Sequence, residues 1–352
     1  MKKSASKPRS AYARAGVDID NKMRALRAIK RMVHDTSTPG VVSDIGLFGG
    51  LFQSPGKDCL LVASTDGVGT KLKVAGMAGR HDTVGQDIVN HCVNDILVQG
   101  ATPLFFMDYV GTARFEGPVF RQVVKGLCKA CRENGCALLG GETAEMPGLY
   151  PIGEYDLVGT IVGVVRKRDM ITGTGIRPGD RVIGLPSTGL HTNGFSLARR
   201  VIFEQAKLRI RDRLPGTSRT VADTLLAVHR SYLRPIVKLM QSVRIQGMAH
   251  ITGGGVIDNI PRILPAGTRV IINTGTAPVL PVFPFIQRHG KVETDEMYRV
   301  FNMGIGMVII VRPNAYDKAL QILRKAGEKP FDAGEVTTGK RDVRLRHGRQ
   351  GA

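Results

Sequence analysis

The chain has no tryptophan, and only 5% of its residues are aromatic. That scarcity leaves no evident stacking platform for a nucleic acid strand. No stretch approaches the roughly 20 consecutive apolar residues that a membrane-spanning helix needs. The basic segment from Met1 to Arg14 lacks the apolar core of a secretory leader, so the sequence predicts a cytoplasmic protein with no membrane partner. Two familiar phosphate-binding patterns are also missing. Neither G-x-x-x-x-G-K-[ST] nor G-x-G-x-x-G occurs. Cysteines number five. Cys128-x-x-Cys131 has no second pair to complete a zinc site. Phe120, Val124, Leu127 and Cys131 recur at helical spacing, which makes buried thiols the better reading.

Acidic residues are outnumbered, 30 Asp and Glu against 50 Lys and Arg, for a formal net charge of +20. Such a balance can mark a nucleic-acid partner. Here the basic residues gather at the two ends (Lys2, Lys3, Lys7, Arg9, Arg14; Lys340, Arg341, Arg344, Arg346, Arg349) and scatter elsewhere. No dedicated nucleic-acid site is expected, and an anionic small substrate would gain from the same field.

What is present is length and apolar content: 352 residues, 42% hydrophobic, enough for two domains. A basic arm at 1–40, with one helix near 21–33, precedes a glycine-rich loop at 45–50. The first domain, 41–172, reads as a strand at 59–64, a helix over 83–98, a strand at 104–110, a helix at 118–133 and strands at 136–140 and 155–166. Arg177-Pro178-Gly179-Asp180 is turn chemistry at the boundary. The second domain, 173–340, reads as a strand at 181–186, helices near 194–204 and 222–241, strands at 248–251, 269–273 and 306–311, and helices near 283–288 and 315–325. A basic tail fills 341–352. Both halves are layered α/β.

The most informative segment is Thr65-Asp66-Gly67-Val68-Gly69-Thr70-Lys71, which follows the apolar run Leu60-Leu61-Val62-Ala63-Ser64. It offers a metal ligand, close backbone approach and a cation, as a polyphosphate requires. On the helix over 83–98, Asp87, His91, Asn94 and Asp95 share one stripe, and a solvated face is the plain alternative. Gly140-Gly141-Glu142-Thr143-Ala144-Glu145 again ends an apolar strand with glycines and acids. Three such features in one domain point to a Mg²⁺–nucleotide site. Two anion cradles follow in the second domain. Ser187-Thr188-Gly189-Leu190-His191-Thr192-Asn193-Gly194 joins a strand to a helix, and Thr252-Gly253-Gly254-Gly255 lets backbone N–H groups close on an anion.

Together these segments resemble the phosphoribosylformylglycinamidine cyclo-ligase (aminoimidazole ribonucleotide synthetase) family. The matching stretches are Tyr12 with Ala15-Gly16-Val17-Asp18-Ile19-Asp20, Thr65 to Leu72, Cys92-Val93-Asn94-Asp95, Gly140 to Gly148 and Gly189 to Leu197. They continue with His250 to Gly255, Asn259-Ile260-Pro261-Arg262, and Glu296-Met297-Tyr298-Arg299 with Phe301-Asn302-Met303-Gly304. They run in family order over residues 12 to 310, and only the basic tails depart from the family's needs. The resemblance implies two layered mixed-sheet domains, the first forming the dimer and the ATP site. It implies a ligase of purine biosynthesis: ATP-dependent closure of formylglycinamidine ribonucleotide to 5-aminoimidazole ribonucleotide, with ADP and phosphate released.

On that reading Asp66, Asp95 and Glu142 hold Mg²⁺. Lys71, Gly67, Gly69, Thr70 and Asn94, with Lys30 from the arm, contact ATP. The ribonucleotide lies on Ser187, Gly189, His191, Thr192, Asn193 and Gly194 and on Thr252, Gly253, Gly254 and Gly255. His191 and Lys71 are the candidate catalytic side chains, and a monovalent-cation requirement is left open. Relatives on the same fold with other activities fit less well. The chain lacks the extra length of formylglycinamidine synthetases and the early cysteine of selenophosphate synthetases.

Overall fold

The computed structural model describes residues 11, 42, 50–54 and 56–347. The expected helix at 21–33, most of the 45–50 loop, the Tyr12–Asp20 match and Lys30 lie outside the described residues.

Alternating burial shapes the first half. β1 (Gly50–Gln53) pairs antiparallel with β2 (Cys59–Gly67), whose Leu60 and Val62 point inward. Then come α1 (Lys71–Ala78), α2 (Asp82–Leu97), β3 (Thr102–Thr112), α3 (Gly117–Asn134), β4 (Ala137–Glu145) and β5 (Tyr155–Arg166). The sheet order is β1-β2-β5-β3-β4. Leu157, Ile161 and Val165 of β5 face α2, with Val158 and Val162 on the opposite face. α2 and α3 lie against each other because Gly85 and Gly126 have no side chains. A Cβ on Gly85 would stand 2.2 Å from the Val123 carbonyl oxygen, and one on Gly126 2.1 Å from that of Asp82.

The second half holds β6 (Arg181–Pro186), α4 (Phe195–Arg199) with a π-helical turn over Arg200–Gln205, α5 (Val221–Leu225), α6 (Leu233–Met240) and β7 (Ile245–His250). It continues with α7 (Gly255–Asn259), β8 (Thr268–Asn273), α8 (Val282–Gly290), α9 (Thr294–Val300) and β9 (Ile305–Val311). α10 (Tyr316–Lys325), β10 (Phe331–Thr338) and β11 (Asp342–Arg346) complete it. The six strands order as β11-β8-β10-β6-β9-β7. β7 and β9 are buried throughout: β9 is interior to the sheet, and β7, although its edge strand, is covered on both faces.

The structure differs from the sequence reading in several respects. β2 runs on through Asp66 and Gly67, and β4 through Glu145, so these acids lie within strands. The helix expected at 222–241 is two short helices around a loop. Pro235, tolerated only in a first helical turn, lies in the first turn of the second one. The basic tail is in part a strand, since β11 pairs parallel with β8 and Arg269 grips Asp342 at 2.7 Å. Helices α1, α7 and α9 and strands β1 and β10 were not foreseen.

α2 positions the site. Every residue from Thr83 to Leu97 is buried. Its apolar side packs on β2, β3 and β5, and its polar stripe meets the second domain. The stripe is a seam between domains and not a solvated face.

Candidate active site

Asp66, at the end of β2, reaches His91 of α2, with its Oδ2 2.8 Å from His91 Nε2. Asp95, one helical turn on, brings its own Oδ2 to 3.4 Å from the same nitrogen. His91 Nδ1 bonds Thr192 Oγ1 at 2.8 Å, across the domain seam. Asp95 also accepts Ser64 Oγ at 3.2 Å and His250 Nδ1 at 2.7 Å. His250 Nε2 in turn meets His229 Nε2 at 2.9 Å, and His191 stacks on His229 with ring centroids 3.9 Å apart. A continuous polar column thus runs from half-exposed Asp66 at the first domain's strand end through buried His91, Asp95, His250 and His229 to the second domain's loops.

The charges in this column follow from its neighbours. Burial disfavours the His91 cation, yet Asp66 and Asp95 outweigh it and hold the imidazole well above the usual histidine range. Burial pushes the carboxyl groups of Asp66 and Asp95 up, but His91 wins there too, and both lie below the usual range. Burial, with nearby positive groups, holds His191 and His229 well below the ordinary value, so both are neutral. His250 is lowered by burial, with Asp95 opposing.

Several expected contacts take other roles. Lys71, fully buried, turns away from the strand-end loop. Its Nζ sits 2.7 Å from Asp87 Oδ2 and donates to the carbonyl oxygens of His191 at 3.1 Å and Ala227 at 2.8 Å. Three donors meet three acceptors, so none remains for an ATP phosphate. Asn94 clasps the loop before α6, donating to Arg230 O at 2.9 Å and accepting from Tyr232 N at 2.9 Å. It anchors the protein's own backbone, not a nucleotide. Glu142 is not with the other acids. Asp66, Gly159, Asp108 and Gly141 form one row across the sheet, which puts Glu142 three strand spacings, about 14 Å, from Asp66 within one chain. Its Oε1 caps the Thr143 N–H instead.

Gly67, Gly69 and Thr70 do form an open turn. Among the described residues, a Cβ on Gly69 would meet nothing within 4 Å, and one on Gly67 nothing nearer than 3.8 Å. Thr70 Oγ1 bridges to Ser196 Oγ at 3.2 Å.

In the second domain the two cradles face each other: a Cβ on Gly253 would lie 3.1 Å from Asn193 Oδ1. Gly254 has φ +101° and Gly255 φ +57°, where a Cβ would strike the Tyr298 carbonyl oxygen at 1.9 Å. Thr252 is tied to Asn259 at 3.3 Å. Ser187 Oγ bonds Asn302 Oδ1 at 2.9 Å, and Asn302 Nδ2 donates to Gly189 O at 2.9 Å. Thr192 turns inward to His91 and His229. Gly194, at φ +78°, opens α4. The 187–194 loop therefore presents mainly backbone.

His191 is also turned inward, although it was expected to do chemistry. It adopts φ +62°, its ring is 1% exposed, and Nε2 accepts from the Thr188 N–H at 3.2 Å. That bond assigns the proton to Nδ1, which has no hydrogen-bond partner among the described residues. A neutral ring in this tautomer can donate a hydrogen bond but cannot take up a proton at Nε2 without losing its hold on Thr188.

The sequence reading missed His229, which occupies the loop that was read as helix. Pro235 is the signal that would have opened that loop. Two histidine-rich groups, His191–His229–His250 and His91–Asp95–His250, are close enough to share an ion. The stacked, nearly parallel rings of His191 and His229, 16° apart, cannot both aim an in-plane lone pair at one metal. By donor type Mg²⁺ fits Asp66 and Asp95, two carboxylates that already converge on one cation, the His91 imidazolium.

Two models of known families cover most of the chain. The N-terminal domain of AIR synthase related proteins matches residues 44–165, and the C-terminal domain matches 177–346. Phosphoribosylformylglycinamidine cyclo-ligase of Geobacter metallireducens is 51% identical over 92% of this chain and 94% of its own. The chain belongs to the phosphoribosylformylglycinamidine cyclo-ligase family. The relative in Alkaliphilus metalliredigens, of the same name, is 46% identical over 96% of this chain and 98% of its own. The crystal structure of hydrogenase maturation protein HypE in complex with ATP is similar in fold, with a TM-score of 0.62, 19% identity, and coverage of 96% of this chain and 93% of that one. The expected fold class, two mixed-sheet α/β domains of the aminoimidazole ribonucleotide synthetase type, is borne out. Among the described residues no helix is long and apolar enough to cross a membrane.

Proposed function

We propose that this chain closes formylglycinamidine ribonucleotide to 5-aminoimidazole ribonucleotide at the expense of ATP, the reaction for which its relatives are named. The observation that carries the proposal is the column from Asp66 through His91, Asp95 and His250. It binds the open Gly67–Thr70 turn to two backbone cradles of the other domain. A nucleotide on the turn and a ribonucleotide phosphate on the cradles would then meet at the seam.

An amide oxygen is a poor leaving group. The formyl oxygen takes the γ-phosphoryl group as the bond to ADP breaks and the amide N–H proton is lost; the amidine nitrogen then attacks the formyl carbon, gives up a proton, and inorganic phosphate departs. Such transfer depends on position and charge neutralisation. Asp66 and Asp95 would hold Mg²⁺, which neutralises the ATP phosphates. Gly67, Gly69 and Thr70 supply backbone approach. Gly253–Gly255 and the 187–194 loop supply N–H groups for the ribose phosphate.

We also infer a homodimer built on the open face of the first sheet. Leu104, Met107 and Leu139 are 44%, 39% and 63% exposed there, beside half-buried Val158 and Val162. An exposed apolar face of this kind marks an association surface. Glu142, on the edge strand β4, would then act in the assembly and not within one chain's site.

The test is an assay with formylglycinamidine ribonucleotide and Mg·ATP, with aminoimidazole ribonucleotide detected directly. Product formation dependent on both substrates is expected. ATP hydrolysis without ring closure, or no turnover by the folded protein, removes the proposal.

A further inference from the structure

Lys71 follows the Gly67–Thr70 turn directly, yet its side chain belongs to the other domain's loops. The Lys71–Asp87 pair is fully buried on both sides. Lys71 Nζ reaches the carbonyl oxygens of His191 and Ala227, and Asp87 Oδ1 accepts the His229 N–H at 2.7 Å. One ion pair of the first domain therefore grips three backbone groups on two loops of the second. One of those groups belongs to His191, a non-glycine residue at φ +62°. That conformation costs energy in a β-carbon residue and persists only where neighbours enforce it. The enforcing contact at its carbonyl is Lys71.

We propose that Lys71, with Asp87, is a positioning residue that sets the 187–194 cradle over the first domain's nucleotide turn, and is not a phosphate contact. The proposal deepens the functional reading above and rests on it for the identity of the two substrates. Its mechanical part stands on the contacts alone. The pair holds the strained His191 backbone in place, so the cradle's N–H groups keep one direction relative to Asp66. A phosphate-binding lysine must present at least one free donor to its ligand. This one has none while the domains stay closed in the arrangement described.

The double variant Lys71→Met/Asp87→Leu tests this, because it replaces a buried pair by apolar groups of similar size and leaves no orphaned charge. The first readout is amide hydrogen exchange of the substrate-free protein. Residues 188–194 and 227–230 should exchange faster than in the parent, while β9 should not. The second is steady-state kinetics. KM for the ribonucleotide should rise on the order of tenfold or more while KM for ATP changes by less than about twofold. A rise in KM for ATP alone, or an equal rise in both, overturns the proposal in favour of direct phosphate contact. Unchanged exchange at 188–194 overturns it outright.

If the double variant does not fold, Lys71→Met alone serves. There Asp87, which burial already holds above the usual carboxylate range despite Lys71, can take up a proton and stay neutral. Failure of both to fold would make the pair a structural element only and would also overturn the proposal. If the parent itself does not close the purine precursor, the functional reading fails, and the exchange experiment still decides the role of Lys71.

Discussion

Asp95→Asn separates the two roles assigned to that carboxylate. The amide keeps its shape and one acceptor oxygen, which can still receive His250 Nδ1, now at 2.7 Å. Its NH₂ then faces Ser64 Oγ, which can turn and accept, and His91 Nε2, 3.4 Å away in the parent. As an imidazolium, His91 has only a hydrogen to offer there. One charge-assisted hydrogen bond is lost, worth about 1.5–3 kcal/mol. Asp66 remains 2.8 Å from His91 as its counter-ion, so the loss stays short of the roughly 3–5 kcal/mol of an orphaned buried charge. The variant should therefore be ~2 kcal/mol less stable. At about 2–4 °C per kcal/mol for domains of this size, its midpoint should fall by roughly 4–8 °C. The assay is thermal unfolding in EDTA, paired with turnover against Mg²⁺ concentration. Turnover should fall severely and need more Mg²⁺. A parent-like midpoint in EDTA refutes the electrostatic reasoning, and parent-like turnover with parent Mg²⁺ dependence refutes Asp95 as a metal ligand.

Gly126→Ala should destabilise the fold by about 1–3 kcal/mol in urea unfolding, because its Cβ would press on the Asp82 carbonyl oxygen; an unchanged midpoint would show that α2 and α3 can part freely. His81 is buried beside Tyr155, 2.8 Å away, and burial lowers its pKa although Glu116 and Asp82 oppose it. Its contribution to stability is complete above the unfolded value of about 6.5 and is lost as pH falls through it towards the folded value, so His81→Gln should reduce the acid-side slope by up to ~1.4 kcal/mol per pH unit; equal slopes in urea unfolding from pH ~5.5 to ~7.5 would contradict this. Gly254→Val, at φ +101° with Asp258 Cβ 2.7 Å from its new side chain, should raise KM for the ribonucleotide far more than KM for ATP, and the reverse would place the nucleotide in the second domain. Light scattering at micromolar concentration should return a dimer, and a fully active monomer would remove the assembly.

The alternation of strands and helices was legible because its signals are local. Leu60 and Val62 alternate on β2, and Val123, Leu127, Ala130 and Cys131 of α3 are buried at helical spacing. Cys131 is buried in that stripe, as its spacing implied. Element ends were less legible, since β2 and β4 continue through glycines and acids that pairing partners hold extended. Site chemistry was legible as residue type but not as direction. Asp66 and Asp95 meet at His91, as a shared stripe and a strand end allow. Nothing in Gly69-Thr70-Lys71 says whether the lysine turns to solvent or to another domain's carbonyls 120 or more residues away. Glu142 followed the same pattern of glycine and acid as Asp66, but its distance is set by sheet order, which a pattern along the chain does not contain.

The burial of α2 explains why direction was the weak point. Asp87, Asn90, His91, Asn94 and Asp95 are each at most 5% exposed, and each has a polar partner in the second domain. By composition this is a surface stripe, and it becomes interior only when another domain covers it. Leaving these groups unpaired in that interior would be costly, so the second domain's loops must adopt the conformations that satisfy them, including the left-handed His191. An apolar seam would tolerate sliding, because dispersion contacts have little direction. A seam of carboxylates, imidazoles and amides fixes register to within hydrogen-bond tolerance. That precision is what a reaction between two substrates held by different domains, as proposed, would require, and it would account for a column of polar groups at a seam where a hydrophobic core would have been simpler to fold.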